Sequence, residues 1–386
     1  MEALDFNLTT RLICGCDSID RLGELAASLG SRRAMVISDP GIVAVGHVQR
    51  GIDSLNRAGV ESILFDGARE NPTTREIELG VEDARDCQPD LLIGLGGGSS
   101  MDCAKGINFV YSCGGRMPDY LGVGKATGPM LPLIAVPTTA GTGSEMQSFA
   151  IIADAQSHMK MACGDKRAAA KIALLDPRLT LTQPSSVTAL TGMDAISHAL
   201  ETYVTKRRNS VSLMFSREAW RLLSRNFLRV IHDGDDLEAR SAMQLGAAYA
   251  GVAIENSMLG ASHALANPLT ATYGLAHGQA VGLMLPHVIR FNGEIYDDWY
   301  RELLAVSDCH STGNPVTADF NATNRLAELI EGLLRQSGLS QSLDQLNVEF
   351  DRLPELATSA AQQWTGTFNP RPVDHSTLLE IYQSAF

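Results

Sequence analysis

The stretch Leu91-Leu92-Ile93-Gly94-Leu95-Gly96-Gly97-Gly98-Ser99-Ser100-Met101-Asp102 runs from apolar residues through three glycines into a helical pattern. A short apolar run bounded by turn residues reads as a buried strand. The glycines permit a tight turn, and a helix is expected over roughly 99–112. The same rhythm extends on both sides. Residues 34–37 read as a strand ending at Ser38-Asp39-Pro40-Gly41, residues 62–65 as one ending at Asp66-Gly67, and residues 133–136 as one ending at Pro137-Thr138-Thr139. Helical lengths fill roughly 43–57 and 73–87. This alternation predicts a parallel sheet with helices on its faces. Ligands of such sheets sit beyond the carboxyl ends of the strands.

Further strand-like sequence follows over 150–176, including Ile172-Ala173-Leu174-Leu175 before Asp176-Pro177. After Pro184 the strand and glycine punctuation fades. Long helical patterns take over, at 187–204 and 211–230. The expected organisation is an α/β domain over 1–184 and an all-helical domain over 185–386. At 386 residues two domains fit the usual domain size.

A formal net charge of −13 argues against wrapping nucleic acid or binding an anionic bilayer by bulk charge. Hydrophobic content of 45% with 19% charged residues marks a folded chain. Seven cysteines, an odd number with no CxxC pair, signal neither a zinc ribbon nor a disulfide framework, and free thiols suit a reducing cytoplasm. The first residues carry no basic-then-apolar leader, and no run reaches the roughly 18–20 apolar residues of a membrane span. A soluble, cytoplasmic protein is expected.

Gly97, Gly98 and Ser99 let backbone approach a phosphate at a helix start, or else form a plain tight turn. The run is not GxGxxG, because Ser99 stands at the third glycine position. A second polar glycine loop follows the next strand, with Thr138 and Thr139 at its start, and two such loops at neighbouring strand ends point to a nucleotide. Asp39 ends the first strand, where a carboxylate can accept hydrogen bonds from a ribose diol or serve the turn itself.

Asp194 and His198 are four residues apart in a helical stretch, so they share a face. His263 and His277 follow in apolar, small-residue surroundings. An imidazole buried there needs a partner. Each can be a hydrogen-bonded core histidine. Together, one carboxylate and three imidazoles suit Fe²⁺ or Zn²⁺. His47, His158, His232, His287, His310 and His375 read as surface or structural.

Taken in order, these motifs resemble the iron-containing, or group III, alcohol dehydrogenase family. The resemblance covers nearly the whole chain. It rests on Gly96-Gly97-Gly98-Ser99 with Asp102 and Lys105, on the Pro137-to-Glu145 loop, and on Asp176-Pro177. It continues through Gly192-Met193-Asp194-Ala195 with His198, His263, His277-Gly278 and Leu285-Pro286-His287-Val288. It implies a dehydroquinate synthase-like architecture: a Rossmann-like N-terminal domain, an all-α C-terminal domain, and metal and nicotinamide in the cleft between them. Carried over by position, the metal ligands are Asp194, His198, His263 and His277. The NAD contacts are Asp39, Gly97, Gly98, Ser99, Thr138, Thr139 and Lys160, with Asp39 at the position associated with NAD over NADP. The implied activity is reversible hydride transfer between a small alcohol or aldehyde and NAD(H), in a homodimer by general frequency.

The chain departs from the family pattern at Asn267. Many members carry a histidine there, near the nicotinamide and substrate. Asparagine hydrogen-bonds but does not shuttle protons near neutral pH. Two rival readings follow: a metal-independent reductase like maleylacetate reductase, and a non-catalytic NAD-binding scaffold.

Overall fold

A computed structural model describes residues 6–156, 159–307 and 321–386. His158, His310, Cys309 and the first five residues lie outside the described residues. The chain forms two compact units, Met1–Thr139 with Gly143–Gln183, and Ala140–Thr142 with Pro184–Phe386.

The first unit contains strands β1 (Arg11–Cys14), β2 (Arg33–Ile37), β3 (Glu61–Phe65), β4 (Leu91–Gly96), β5 (Gly122–Val123), β6 (Leu133–Pro137), β7 (Phe149–Ala153), β8 (Lys160–Gly164) and β9 (Ile172–Leu175). Its helices are α1 (Leu22–Ser28), α2 (Pro40–Ala44), α3 (His47–Arg57), α4 (Thr74–Cys87) and α5 (Gly98–Cys113). Six strands form a parallel sheet in the order β1-β9-β6-β4-β2-β3. Successive side chains in a strand face opposite ways. Val36, Ile93, Leu95 and Val136 therefore pack with Leu22, Leu25 and Leu55 of α1 and α3. Met35, Ile37, Leu92 and Ala135 pack on the other face with Ile77 of α4 and Met101 and Ile107 of α5. Burial on both faces explains why these strands are continuous apolar runs.

The expected helix over 43–57 is two helices. Asp39 caps α2, and Gly46, at φ 84°, breaks the chain before α3. The strand-like sequence after 150 does not all join the main sheet: β7 and β8 pair antiparallel, and β8 pairs with β5, in a separate three-stranded sheet.

The second unit is helical. It holds α6 (Ser185–Val204), α7 (Ser210–His232), α8 (Leu237–Asn256), α9 (Ala261–Tyr273), α10 (His277–Leu304), α11 (Ala322–Gln336), α12 (Leu353–Ala361) and α13 (His375–Ser384). Every residue of α6 from Gly192 to Val204 is buried. A helix covered all round occupies the interior, so the polar residues it carries there need partners of their own. None of the described helices is long and apolar enough to cross a membrane.

Glu145 is a buried carboxyl in the loop after β6. Burial pushes it up to about 7 from an ordinary value of 4.5. The fold therefore favours its protonated form. The cost of ionising it is absent below pH 4.5 and grows as pH rises through 7. Between pH 5 and 8 the wild type should lose roughly 2 kcal/mol of stability relative to Glu145→Gln. Denaturant titrations at both pH values read this directly, and a difference that stays constant with pH contradicts it.

Candidate active site

The strand order reverses at β2: β3 lies on one side of it and β4 on the other. Such a switch point opens a crevice at the carboxyl ends of the strands. Asp39 follows β2 and the Gly97 loop follows β4, so the two face this crevice from adjacent strands. Gly96 has φ 153°, and a Cβ there would stand 2.4 Å from Ser100 Oγ. Gly97 caps α5 without any side-chain hydrogen bond. The first N–H groups of a helix lack intrahelical acceptors, which suits a phosphate. Gly98 begins α5, and Ser99 Oγ accepts from the Asn71 N–H at 3.3 Å.

Asp39 serves the turn and the neighbouring loop together. Its Oδ1 accepts from the Ile42 N–H at 3.1 Å and its Oδ2 from Ser100 Oγ at 3.3 Å. Each oxygen keeps a lone pair for a further donor. Thr138 N–H donates to the Gly96 carbonyl at 2.9 Å, while its buried Oγ1 has no hydrogen-bond partner among the described residues. The Thr139 side chain comes within 3.5 Å of where a Gly97 Cβ would lie. The loop after β6 is clamped from α5: buried Lys105 Nζ donates to Ser144 O, Ser144 Oγ and Phe149 O, and Ser144 Oγ donates to Asp102. Asp39, Gly97, Gly98, Ser99, Thr138 and Thr139 thus gather at neighbouring strand ends. Lys160 is exposed at the start of β8, close enough to act by charge on the Asp102 carboxyl in the early turns of α5.

In the second unit, Asp194 and His198 lie one turn apart on α6, His263 lies in the first turn of α9, and His277 is the first residue of α10. Asp194 Oδ1 is 3.3 Å from His198 Nε2, 3.7 Å from His263 Nε2 and 3.7 Å from His277 Nε2. The ligand atoms of Asp194, His263 and His277 all lie within 4.8 Å of one another. The His198 ring stacks on that of His263 with centroids 4.9 Å apart. Bonds of about 2.0–2.2 Å to a tetrahedral cation put its ligand atoms roughly 3.3–3.6 Å apart.

Asp194 Oδ1 and His263 Nε2 are buried with no hydrogen-bond partner among the described residues. Orphaned acceptors of this kind carry a large cost unless something binds them. A divalent cation fits: a carboxylate oxygen and imidazole nitrogens are donors suited to Fe²⁺ or Zn²⁺. The ionisation states of Asp194 and His198 agree. Burial alone would raise the Asp194 carboxyl, but His198, His277 and His263 outweigh it and hold it well below the ordinary range. Burial lowers His198, which favours the neutral imidazole that can ligate. His263 is raised against its burial by Glu201 and Asp194.

Asn267 lies one turn beyond His263 on α9, and its Nδ2 donates to Gln363 Oε1 at 3.0 Å. His287 is structural: its Nδ1 meets Ser384 Oγ at 2.9 Å, and burial pushes it down to about 4. Glu201 is absent from the residues singled out in the sequence. Its spacing of seven from Asp194 puts both on one face of α6, and that spacing is the signal available for it.

The two halves of the chain match the families described as iron-containing alcohol dehydrogenase, over residues 9–177, and Fe-containing alcohol dehydrogenase, C-terminal, over residues 188–386. The chain is 32% identical over 374 residues to the 1,3-propanediol dehydrogenase of Klebsiella pneumoniae, covering 96% of each. Its fold is similar to that of a crystallised 1,3-propanediol oxidoreductase, with a TM-score of 0.95, 30% identity and full coverage of both chains. It is also similar to sulfoacetaldehyde reductase from Bifidobacterium kashiwanohense in complex with NAD⁺, with a TM-score of 0.88 and 25% identity over 100% of this chain and 99% of that one. The chain therefore belongs to the iron-containing alcohol dehydrogenase family.

A Cβ at Gly278 would lie 2.0 Å from the Leu190 carbonyl oxygen of α6. Gly278→Ala must push the start of α10 off α6 and carry His277 away from Asp194. Stability should fall by about 1–3 kcal/mol, and Zn²⁺ affinity by about tenfold or more. Denaturation and metal titration together check this, and unchanged affinity contradicts it.

Proposed function

We propose that the protein is an NAD(H)-linked, metal-dependent alcohol dehydrogenase that interconverts a small primary or secondary alcohol with its aldehyde or ketone. The observation that carries this reading is the approach of His198, His263 and His277 to the single oxygen Asp194 Oδ1. When bound, the cation supplies Lewis-acid polarisation of the substrate oxygen and the nicotinamide accepts or returns the hydride.

The rest is done by the chain's own groups. Asp194, His198, His263 and His277 hold the cation. One carboxylate among neutral imidazoles leaves a net positive site, which favours an oxygen that is becoming negative. Backbone N–H groups at the start of α5 take a phosphate of the dinucleotide, with Ser99 and the Thr138 and Thr139 hydroxyls as further donors. Asp39 accepts from a ribose diol and repels a 2′-phosphate. Lys160 supplies a positive charge toward the dinucleotide. Asn267 orients the substrate through its amide and takes no proton, so the alcohol proton leaves through water or the cofactor ribose. The cation is Fe²⁺, with Zn²⁺ able to fill the same donors. A cytoplasmic homodimer completes the proposal, supported by the frequency of twofold assembly and by cysteines that form no disulfide among the described residues.

Orphaned Asp194 Oδ1 and His263 Nε2 weigh against a metal-independent reductase. The direct test is a panel of short alcohols, diols and aldehydes assayed with NAD(H) after anaerobic loading with Fe²⁺ or Zn²⁺. Turnover should appear on loading, disappear with chelator, and be lost with the metal in Asp194→Ala. Full metal content and turnover in that variant refute the assignment.

Asp39→Gly removes the carboxylate that disfavours a 2′-phosphate. The preference for NAD⁺ over NADP⁺, read as kcat/KM, should shrink by about tenfold or more, on the order of 1.4 kcal/mol. An unchanged ratio contradicts the role given to Asp39.

A further inference from the structure

Glu201 lies on α6 one turn past His198 and is 3% exposed. Its Oε2 lies 2.6 Å from His263 Nδ1 and accepts from the Gly260 N–H at 3.0 Å, and its Oε1 accepts from the Ser262 N–H at 2.6 Å. Both backbone donors belong to the start of α9, the helix that carries His263. They pin the carboxylate at two points, so it cannot swing to follow a rotating imidazole. Burial at this depth tolerates a carboxylate only when its oxygens are bonded, and here each is.

The chemistry of the pair has one consistent form. An ionised carboxylate only accepts. The His263 nitrogen facing Glu201 must therefore carry a hydrogen, and the other nitrogen is the one left to ligate. That other nitrogen, Nε2, has no hydrogen-bond partner among the described residues and lies 3.7 Å from Asp194 Oδ1. We propose that Glu201 is a positioning residue that fixes His263 as the Nδ1–H tautomer with Nε2 aimed at the cation, and so sets the affinity of the metal centre. The inference rests on the reading of Asp194, His198, His263 and His277 as a cation site. A role confined to capping α9 would stabilise the helix without acting through the imidazole.

A double-mutant cycle separates the two, with Zn²⁺ dissociation constants measured by competition with a chromophoric chelator. In the wild-type background Glu201→Gln should weaken Zn²⁺ binding about 10- to 100-fold. Glutamine can present an N–H to Nδ1 and drive the proton onto Nε2. In the His263→Ala background the same change should matter less than about threefold, because the group it acts through is gone. Equal losses in both backgrounds, or no loss in either, overturn the proposal. Glu201→Asp covers a folding failure of the glutamine variant. It keeps the charge but withdraws it by one methylene, and it too should weaken Zn²⁺ binding; wild-type affinity in this variant overturns the proposal. Asp194→Ala marks the reading beneath it. Loss of Zn²⁺ there with wild-type affinity in Glu201→Gln sinks only the role of Glu201. Undiminished Zn²⁺ in Asp194→Ala sinks the cation site itself.

Discussion

A carboxylate oxygen set among imidazole nitrogens inside an apolar bundle is the constraint that organises the second unit. Asp194 sits on the part of α6 that neighbouring helices cover completely. Charge buried there must be compensated, or the fold loses several kcal/mol. Internal hydrogen bonds do not supply that compensation, because the oxygen facing the histidines has none among the described residues. The surrounding architecture brings nitrogen donors to it instead. The first turn of α9 delivers His263, the first residue of α10 delivers His277, and α6 itself delivers His198. Helix starts are rigid mounts, since their backbone is already fixed by the helix behind them. The close approach of Gly278 to Leu190 holds one of these mounts against α6.

The first unit answers to a different constraint, the direction in which strands are added to the sheet. The reversal at β2 leaves an opening at the strand ends that helices cannot fill. Residues lining it are turn formers and hydroxyls. Asp39, Gly97 and Thr138 each do a structural task there and keep capacity for a ligand. A buried lysine, Lys105, ties the later loop to the helix that begins with the earlier one, so the two loops form a single platform.

Much of this was legible in the residues. Strands buried on both faces announce themselves as apolar runs, and β2, β4, β6 and β9 stand where those runs stand, as does the half-buried edge strand β3. β1 was not foreseen. Its four residues, Arg11 to Cys14, are half exposed, and it exists because β9 offers it a free edge, which is tertiary information. The division of later strands into a second sheet was hidden for the same reason: pairing is not local. The candidate ligands Asp194, His198, His263 and His277 could be named from side-chain chemistry in apolar context and from family resemblance. Their convergence needed the fold, because Asp194 and His277 are more than eighty residues apart. Glu201 escaped notice because a glutamate in a helix ordinarily faces water. Here the N–H groups at the start of α9 receive its carboxylate away from water.

The most direct measurement is the X-ray absorption spectrum of the Fe²⁺- or Zn²⁺-loaded protein, set beside that of His263→Ala. The account predicts a first shell of one oxygen and three imidazole nitrogens from the protein at about 2.0–2.2 Å. One imidazole should be missing from the shell in the variant. A shell without histidine scattering, or one that His263→Ala leaves unaltered, would contradict it.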